Sequence, residues 1–305
     1  MLISPNTRLE CPRKESVCGV VISYFPQGDL LARLRRIRPQ VAHLLVIDNG
    51  SSGDAASALD MIESQTDIDV IRNPSNLGIA AALNQGVDRA LNMGYGWVLT
   101  LDQDTVVADD MVQALSAVYE QFPEKANLAV IGSNYTDPVI RRPFLALNGD
   151  SDRSWQEVKT AITSGSLISL SAHRAIGPFR EELFIDCIDF EYCLRARSIG
   201  FHVVMTRKPL MQHGIGVVTL HKLPWKTTGT PNHAPMRRYY IARNQLILAR
   251  KYLWSEPVWT ISTLYRHLKD IIFICLFKKD VIHKLKSTAM GVWDGFSSNF
   301  GRKPT

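Results

Sequence analysis

The stretch LTLDQDTVV, residues 99–107, decides how the rest of the chain is interpreted. Its apolar start is typical of a buried β-strand, and its end carries Asp102 and Asp104, one residue apart. Because residues i and i+2 of an extended chain lie on the same side, the two carboxylates are expected to converge. They would do so at a strand end, where open α/β sheets bind ligands. Paired oxygen ligands suit Mg²⁺, which enzymes commonly share with substrate phosphates. The stretch therefore predicts a metal and diphosphate site.

Strands and helices are predicted to alternate before this stretch. Short runs rich in Val and Ile are separated by helical segments, and this order favours a parallel sheet with right-handed crossovers. The predicted strands are residues 17–25, 43–52, 69–76 and 97–102, and the predicted helices are residues 30–37, 55–64 and 77–94.

The second half of the chain has a more varied pattern. In order, the sequence predicts a strand within 128–150, a hairpin or strand pair at 160–177, a short strand and helix over 183–200, a strand over 201–216, a loop over 217–236, and helices over 237–253 and 254–277. The predicted fold class is α/β, with a mostly parallel central sheet flanked by helices and a C-terminal helical segment.

Composition limits the compartment and the class of protein. A chain of 305 residues with 46% hydrophobic content can form a substantial core. Five cysteines without a CxxC pair argue against a disulfide framework or zinc cluster and favour a reducing compartment. The N-terminus does not have the pattern of a signal peptide. The apolar run 271–277 is shorter than the roughly 20 residues that span a bilayer. We therefore expect a cytoplasmic protein.

The charge is unevenly distributed. Residues 207–305 contain 17 Lys/Arg and 4 Asp/Glu, a balance of +13, whereas the whole chain carries +6. A basic region of this kind suits nucleic acid, anionic lipid or a phosphorylated substrate, but no nucleic-acid-binding motif accompanies it, so no nucleic-acid partner is predicted. Apolar residues also recur at helical spacing, namely Ile261, Leu264, Leu268, Ile272 and Cys275. This helix is expected either to dock on the inner face of the membrane or to pack on the catalytic domain or in a homodimer.

Two further segments place polar or small residues near strand ends. In VIDNGSS, Asp48 is positioned to bond a base or ribose, or else to cap a plain turn. In RNPSNLGIAAALNQG, Asn76 and Gly78 stand at a helix entrance, which favours an anion or simply allows close packing on the sheet. Neither a GxGxxG nor a P-loop motif is present, so dinucleotide binding and P-loop chemistry lose support.

The segment IDCIDFEY brings three carboxylates together at the start of a helix. One that lies near an apolar wall can accept a proton from an attacking hydroxyl. Alternatively, Asp186 is the helix N-cap, and Glu191 binds the first-turn amides or pairs with Arg195. All three acids, including Asp189, would then simply favour the helix N-terminus.

A histidine lies where the strand predicted within residues 201–216 ends. His213 is either structural or completes a metal site with Asp104. His233 offers a weaker alternative.

Together these segments resemble glycosyltransferase family 2, which has the GT-A fold. The resemblance extends from Val17 to Arg250 and is carried by VVISYFP, VIDNGSS, RNPSNLGIAAALNQG, LTLDQDT, TSGSLIS, FIDCIDFEYCLRARSIGF and RRYYIARN. The LDQDT and YYIARNQ segments are similar to those of bacterial rhamnosyltransferases that build cell-surface polysaccharides.

This resemblance implies an inverting, Mg²⁺- or Mn²⁺-dependent transfer of a sugar. The implied donor is dTDP-L-rhamnose, and the implied acceptor is a hydroxyl of a growing lipid-linked polysaccharide of the O-antigen type. A UDP-sugar donor and a non-catalytic nucleotide-sugar-binding assembly protein are the alternatives. Residues 1–236 are expected to form the catalytic domain, and residues 237–305 a basic helical region that contacts membrane or a second subunit.

The resemblance also implies roles for individual residues. Asp189 corresponds to the catalytic base, and Asp104 and His213 to metal ligands. The implied nucleotide-sugar-binding residues are Tyr24, Asp48, Asn76, Gly78, Asp102, Gly165 and Arg237, and Asp102 corresponds to a residue that binds the ribose or the metal. The chain departs from the family pattern at Ile188, where many members have an acidic residue, and in SYFP, where TYNP is more usual.

Two other enzyme classes use similar groups. A nucleotidyltransferase should carry a Gly-rich loop with Arg and Lys after the first strand, where this chain has SYFPQGDL. A glycoside hydrolase needs two carboxylates on either side of the scissile bond. That activity would not explain why residues suited to a nucleotide lie at the strand ends.

Overall fold

The computed structural model describes residues 10–27, 29–65, 67–139, 141–145, 153–214, 216, 218–223 and 226–303. Among these described residues, nine strands form the central sheet. They are β1 (Val17–Ser23), β2 (His43–Asp48), β3 (Asp69–Arg72), β4 (Trp97–Asp102), β5 (Val106–Val107), β6 (Leu128–Thr136), β7 (Trp155–Glu157), β8 (Ser166–Ser169) and β9 (His202–Gln212).

Helices flank the sheet and form the C-terminal region. They are α1 (Leu30–Ile37), α2 (Asp54–Gln65), α3 (Ile79–Asn92), α4 (Met111–Gln121), α5 (Leu170–Ile176), α6 (Ile188–Ser198), α7 (Pro235–Tyr252), α8 (Pro257–Phe277) and α9 (Val281–Phe296). A separate hairpin consists of β10 (Val218–Leu223) and β11 (Lys226–Pro231).

The strand order is β3-β2-β1-β4-β8-β6-β9-β5, and β7 also pairs with β9. Strands β3, β2, β1 and β4 are parallel, as predicted, whereas β8 runs antiparallel to both β4 and β6. Register places Asp48 beside Ser23, and Asp102 beside Ile22. The carboxyl ends of three strands therefore meet at one edge of the sheet. The predicted α/β class is confirmed, including the flanking helices and the C-terminal helical segment.

Apolar residues fill both faces of the sheet, because successive side chains of a buried strand point to opposite sides. On β1, Cys18 and Val20 belong to the cluster that includes residues of α3, α5 and α6, whereas Val17 and Val21 belong to the cluster with α1 and α4. Gly86 lets α3 approach closely, since a Cβ there would lie 2.3 Å from Val20. This packing fixes the entrance of α3 relative to the strand ends.

The predicted hairpin at 160–177 is wrong. Only β8 is a strand, and residues 170–176 form the helix α5. The Ser169 hydroxyl accepts a hydrogen bond from the Ala172 amide as an N-cap, and Gly177 ends the helix with φ of +89°. These start and stop signals outweigh the apparent strand pattern.

Two other expectations also need correction. The short strand predicted at the start of 183–200 is not found among residues 181–187, all of which the structure describes: residues 181–183 form a short 3-10 helix, followed by a turn. The predicted loop over 217–236 contains the hairpin of β10 and β11, whose Thr-rich strands pair in antiparallel register.

The predicted C-terminal helices are present as α7 and α8, and α9 was not predicted. Helix α7 packs against α9, α8 and the segment before α6. In the described part of the chain, no helix combines the length and apolar character needed to cross a bilayer.

Candidate functional site

The ends of β4 and β9 bring two aspartates and a histidine together. Ligand atoms of Asp102, Asp104 and His213 all lie within 4.8 Å of one another. His213 Nε2 lies 3.7 Å from Asp102 Oδ2, and His213 Nδ1 lies 3.6 Å from Asp104 Oδ1. Two carboxylate oxygens and one imidazole nitrogen fit a divalent cation such as Mn²⁺ or Mg²⁺.

The sequence suggested that the two aspartates converge because the chain is extended. In the structure they converge through a turn instead. Strand β4 ends at Asp102, and the Thr105 amide donates to the Asp102 carbonyl at 3.1 Å. The middle residue, Gln103, points elsewhere, because its amide bonds both the N–H (2.9 Å) and the C=O (3.0 Å) of Tyr24. Gln103 therefore fastens the end of β1 to this turn.

Hydroxyl groups hold the histidine and the turn in place. Thr105 Oγ1 lies 3.1 Å from His213 Nδ1 and 2.6 Å from Ser164 Oγ, and Ser164 Oγ accepts from the Asp102 amide at 3.1 Å. His213 is mostly buried, whereas the side chain of Asp104 is 57% exposed. Hydrogen bonds to buried hydroxyls therefore hold the Asp102, Asp104 and His213 group on its inner side, and Asp104 leaves its outer side open to solvent.

Electrostatics at this group favour a cation. Burial raises the pKa of Asp102 above its usual range, and Asp104 adds to this rise, whereas His213 and Arg237 oppose it. The nearby carboxylates repel each other when both are ionised. A bound divalent cation would relieve this repulsion.

Asp189 lies in the first turn of α6, half-buried. Its Oδ1 accepts a hydrogen bond from the Phe190 amide at 2.9 Å. Burial raises the pKa of Asp189 to about 7, and the negative charges of Asp186 and Asp102 add to this rise. A carboxylate tuned near neutrality can accept a proton from a hydroxyl.

An ion pair joins the start of α7 to the segment before α6. Arg237 Nη2 lies 3.0 Å from Asp186 Oδ1, and Arg237 Nε lies 3.2 Å from both carboxylate oxygens. The expectation that Asp186 caps α6 is wrong, because Cys187 holds the N-cap position and has no side-chain cap. The positive charge of Arg237 also acts on Asp102 and so belongs to the same site.

The predicted pairing within α6 is confirmed. Glu191 is buried, and its Oε2 lies 3.0 Å from Arg195 Nη2. Lys251 of α7 binds the other Glu191 oxygen at 3.0 Å. Glu191 thus joins α6 to α7.

Asp48 and Tyr24 lie at neighbouring strand ends. Asp48 is buried, and its carboxylate accepts from the amide of Ser51 at 2.9 Å and from the Ser51 hydroxyl. Tyr24, by contrast, is 45% exposed, and its ring contacts Phe25 edge to face. The strand edge therefore offers one buried carboxylate within a turn and one open aromatic ring.

The entrance of α3 is closely packed. Asn76 Oδ1 accepts from the Gly78 amide at 2.9 Å, and the Ile79 amide donates to the Phe184 carbonyl at 2.8 Å. Gly78 has φ of +91°, and a Cβ there would lie 2.7 Å from the Phe184 oxygen. The Ile79 amide, the first of α3, is therefore already bonded to the protein and is not available to an anion. Asn76 is the polar side chain that remains at the entrance of α3.

Gly165 adjoins the hydroxyl group of Ser164 described above. It has φ of +75°, and a Cβ would lie 2.5 Å from the sulfur of Met211. Its amide donates to the Thr100 carbonyl at 2.8 Å. Only glycine fits this position, which sets the path of the chain beside β4.

Sequence reasoning missed four contributors to the site: Gln103, Thr105, Ser164 and Tyr135. Tyr135 is buried, its ring lies 6.0 Å from that of His213, and burial and the charge of Asp189 raise its pKa. Tyr135 therefore adjoins His213 and senses the charge of Asp189. Its position in a strand gave no signal of this role.

Comparison with known proteins gives consistent matches. The family model described as glycosyl transferase family 2 matches residues 20–176. A curated protein from Shigella flexneri, dTDP-rhamnosyl transferase RfbF, is 28% identical over 294 residues, covering 92% of this chain and 95% of that protein.

Solved structures match the fold at low sequence identity. Staphylococcus aureus TarS 1–349 in complex with UDP-GlcNAc has a TM-score of 0.57 at 12% identity, covering 93% of this chain and 81% of that one. This chain spans about half of a longer TarS structure, 49%. The mannosyltransferase PcManGT from Pyrobaculum calidifontis, in complex with GDP-Man and Mn²⁺, has a TM-score of 0.56 at 13% identity, covering 94% and 87% of the two chains.

Proposed function

Because the chain belongs to glycosyl transferase family 2, we propose that it is an inverting, metal-dependent rhamnosyltransferase. The donor is dTDP-L-rhamnose, and the acceptor is a hydroxyl of a lipid-linked saccharide. The observation that carries this proposal is that ligand atoms of Asp102, Asp104 and His213 lie within 4.8 Å of one another. The charges of Arg237 and Asp189 also interact with that of Asp102. The likeness to RfbF, which covers nearly all of both chains, supports rhamnose as the sugar.

Asp104 and His213, with Asp102 beside them, would hold Mg²⁺ or Mn²⁺. Their ligand atoms are close enough to share one ion, and Asp104 is open to a substrate. When bound, the ion stabilises the charge that develops on the leaving diphosphate.

Asp189 accepts the proton of the acceptor hydroxyl. As the acceptor oxygen bonds to the anomeric carbon, the bond from that carbon to the diphosphate oxygen breaks, and the nucleoside diphosphate leaves. The proton ends on the Asp189 carboxylate, whose raised pKa of about 7 makes it a better base than an exposed aspartate. Arg237 adds positive charge beside Asp102 and Asp104, where the diphosphate is expected.

Residues at neighbouring strand and helix ends bind the nucleotide part of the donor. Asp48 accepts from the base, and Tyr24 offers an exposed ring for stacking. Asn76 and Gly78 border the donor at the entrance of α3, and Gly165 shapes the wall beside β4. Register supports a shared site, because the ends of β1, β2 and β4 lie side by side.

Residues 1–236 form the catalytic domain, and the basic helices of residues 237–305 bring it to an anionic bilayer, where a lipid-linked acceptor resides. The apolar stripe that the sequence predicted on α8 is exposed: Ile261, Leu268 and Ile272 are each half or more accessible. Trp254 and Trp293 are also exposed, at 90% and 72%. Indole rings of this kind prefer the interface between water and lipid.

Charge favours lipid over a second subunit as the occupant of this surface. Basic side chains accompany the apolar ones on the same helices and their connection, namely Arg266, Lys269, Lys278, Lys279 and Lys286. Each Lys or Arg near an anionic surface contributes roughly 1 kcal/mol, whereas two copies of the same basic surface repel each other.

A direct assay tests the proposal. The protein would be incubated with Mn²⁺ and lipid-linked saccharides extracted from bacterial membranes, with dTDP-L-rhamnose or UDP-GlcNAc as the donor. We expect release of dTDP with rhamnose appearing in the lipid fraction, and loss of both with EDTA. Release from UDP-GlcNAc alone would favour a UDP-sugar enzyme. Binding of either donor without release would favour the non-catalytic alternative.

A further inference from the structure

The turn that precedes Asp189 has an unusual backbone. Phe184, Asp186 and Cys187 have φ values of 62°, 63° and 63°, although none of them is glycine. L-residues rarely adopt this left-handed region, and such conformations persist only where the surrounding structure imposes them. Something outside the turn formed by residues 184–187 must therefore hold it.

Asn244 of α7 supplies one part of that constraint. Its side chain is fully buried, and Nδ2 donates to three carbonyl oxygens: Leu183 at 2.9 Å, Ile185 at 2.8 Å and Asp186 at 2.9 Å. These three carbonyl groups lie on both sides of Phe184, which has φ of 62° and ψ of −59°. One amide group thus fixes the path of the whole turn.

Arg243 supplies a second part, in addition to the ion pair of Arg237 with Asp186. Its guanidinium is 1% exposed and donates to the carbonyl oxygens of Glu182 (3.1 Å), Leu183 (3.0 Å) and Gly301 (2.6 Å). Arg243 Nε donates to Asn244 Oδ1 at 2.9 Å. This bond fixes the orientation of the Asn244 amide, so that its nitrogen must face the turn.

The turn connects two parts of the proposed site. Helix α6 begins at Ile188, so any displacement of the turn moves Asp189 directly. On its other side, Phe184 accepts from the Ile79 amide at the entrance of α3. Asn49 holds that entrance independently, because its Nδ2 donates to Asn76 Oδ1 and to the Gly78 carbonyl, both at 3.1 Å.

We infer that Arg243 and Asn244 are positioning residues, which set the location of the Asp189 carboxylate by holding the 184–187 turn. This inference rests on the proposed function, in which Asp189 is the base. Neither residue touches substrate. Their effect is expected on the chemical step, because a misplacement of about 1 Å reduces catalysis by about 100-fold.

Asn244→Asp tests the inference with little change in side-chain volume, since it replaces the amide donors with oxygens that the three carbonyls repel. We expect kcat for dTDP release from dTDP-L-rhamnose to fall by about 100-fold. KM for the donor should rise by less than about threefold, because Asn49 still holds the entrance of α3. Arg243→Lys keeps the charge but not the forked donors of the guanidinium. It should also lower kcat more than it raises KM, but by a smaller factor than Asn244→Asp.

Leu248→Ala is the matched control, because Leu248 is fully buried on the same helix but packs in the apolar core. It should lower the melting temperature without changing kcat. Hydrogen exchange gives a readout independent of turnover. Amides of residues 182–190 should exchange at least about tenfold faster in Asn244→Asp than in wild type, and Leu248→Ala should leave them unchanged.

The possible failures are distinguishable. A wild-type kcat in Asn244→Asp, or an equal loss of kcat in Leu248→Ala, overturns the positioning role. Full activity in Asp189→Asn instead overturns the base assignment on which the inference rests. Unchanged exchange at residues 182–190 in both Asn244 and Arg243 variants would contradict the constraint on the turn, whatever the activity.

Discussion

The Nδ1 atom of His213 lies 3.6 Å from Oδ1 of Asp104, although the two residues come from distant parts of the chain. The pairing of β5 with β9 accounts for this proximity, because Val106 is in register with Gln212 and Val107 with Met211. This short ladder begins immediately after the turn that carries Asp104 and ends immediately before His213. The proposed metal ligands are therefore positioned by backbone pairing.

Removing either ligand should weaken metal binding. Asp104→Ala and His213→Ala are each expected to reduce the affinity for Mn²⁺ by about tenfold or more, because a ligand to the ion is lost. Isothermal titration with MnCl₂ would measure this. Asp109→Ala is the matched control, since Asp109 is exposed and pairs with Arg36. Wild-type affinity in both ligand variants would show that the ion binds elsewhere.

Turnover should be lost as pH falls through about 7. Asp189 must be ionised to accept a proton, and its pKa is raised to about 7 by burial and by the charges of Asp186 and Asp102. Below that pH the carboxyl is protonated, so kcat/KM should decline about tenfold per pH unit. A profile from pH 5 to 9 at saturating Mn²⁺ would measure this. A flat profile between pH 5 and 8 would contradict a base with a raised pKa.

Asp189→Asn should slow transfer by orders of magnitude yet stabilise the fold at alkaline pH. The pKa of Asp189 is higher in the folded state than the usual value of about 3.9 in the unfolded state. The folded state thus binds more protons between these values, and stability falls as pH rises from about 4 to 7. The neutral asparagine avoids this loss.

Melting temperatures at pH 5 and pH 8 in EDTA would measure the effect. The difference between variant and wild type should be more favourable to the variant at pH 8. Turnover of the variant should fall by roughly 10²- to 10⁴-fold, while donor binding stays near wild type. A variant that is equally stabilised at both pH values would contradict a raised pKa for Asp189.

Much of the fold could be predicted from the sequence because the first four strands have a clear local sequence pattern. Each is a short run rich in Val, Ile or Leu that ends in turn-forming residues, and the helices between them are amphipathic. The second half was harder. Ser169 and Gly177 carry local cap signals, but the residues between them, LSAHRAI, also fit a strand pattern, and only the side-chain bond to Ala172 decides between them.

The site was predicted less completely than the fold. Single carboxylates at strand ends, such as Asp102 and Asp104, are visible in a sequence. The contacts that assemble them are not, because Gln103, Ser164 and Tyr135 act across distances that no local pattern encodes. The turn before Asp189 is a similar case, since left-handed Phe184 and Asp186 contradict local preferences and depend on α7.

Replacing Arg237 should weaken donor binding. Arg237→Met removes the cation that bonds Asp186 and leaves that mostly buried carboxylate without its partner. Positive charge beside Asp102 and Asp104 is also lost, so the KM for dTDP-L-rhamnose should rise by about tenfold or more. Steady-state kinetics at saturating Mn²⁺ would measure it. Arg36→Met is the control, because its pair with Asp109 is exposed, and a similar rise in both variants would count against a local role.

The exposed apolar stripe of α8 should bind anionic lipid. Flotation with vesicles containing phosphatidylglycerol should recover the wild-type protein at low salt and progressively less of it as ionic strength screens the basic side chains. The triple substitution Ile261→Ser, Leu268→Ser, Ile272→Ser should abolish flotation, since it removes apolar area without changing charge.

The double substitution Met61→Ser, Ile199→Ser is the control for flotation, because both residues are about half exposed but lie on α2 and at the end of α6. It should float like the wild type. Light scattering after size-exclusion chromatography separates the homodimer alternative. The stripe would be a subunit interface if the wild type is a dimer, the triple substitution makes it a monomer, and neither floats at any salt concentration. The apolar face would then be covered by protein.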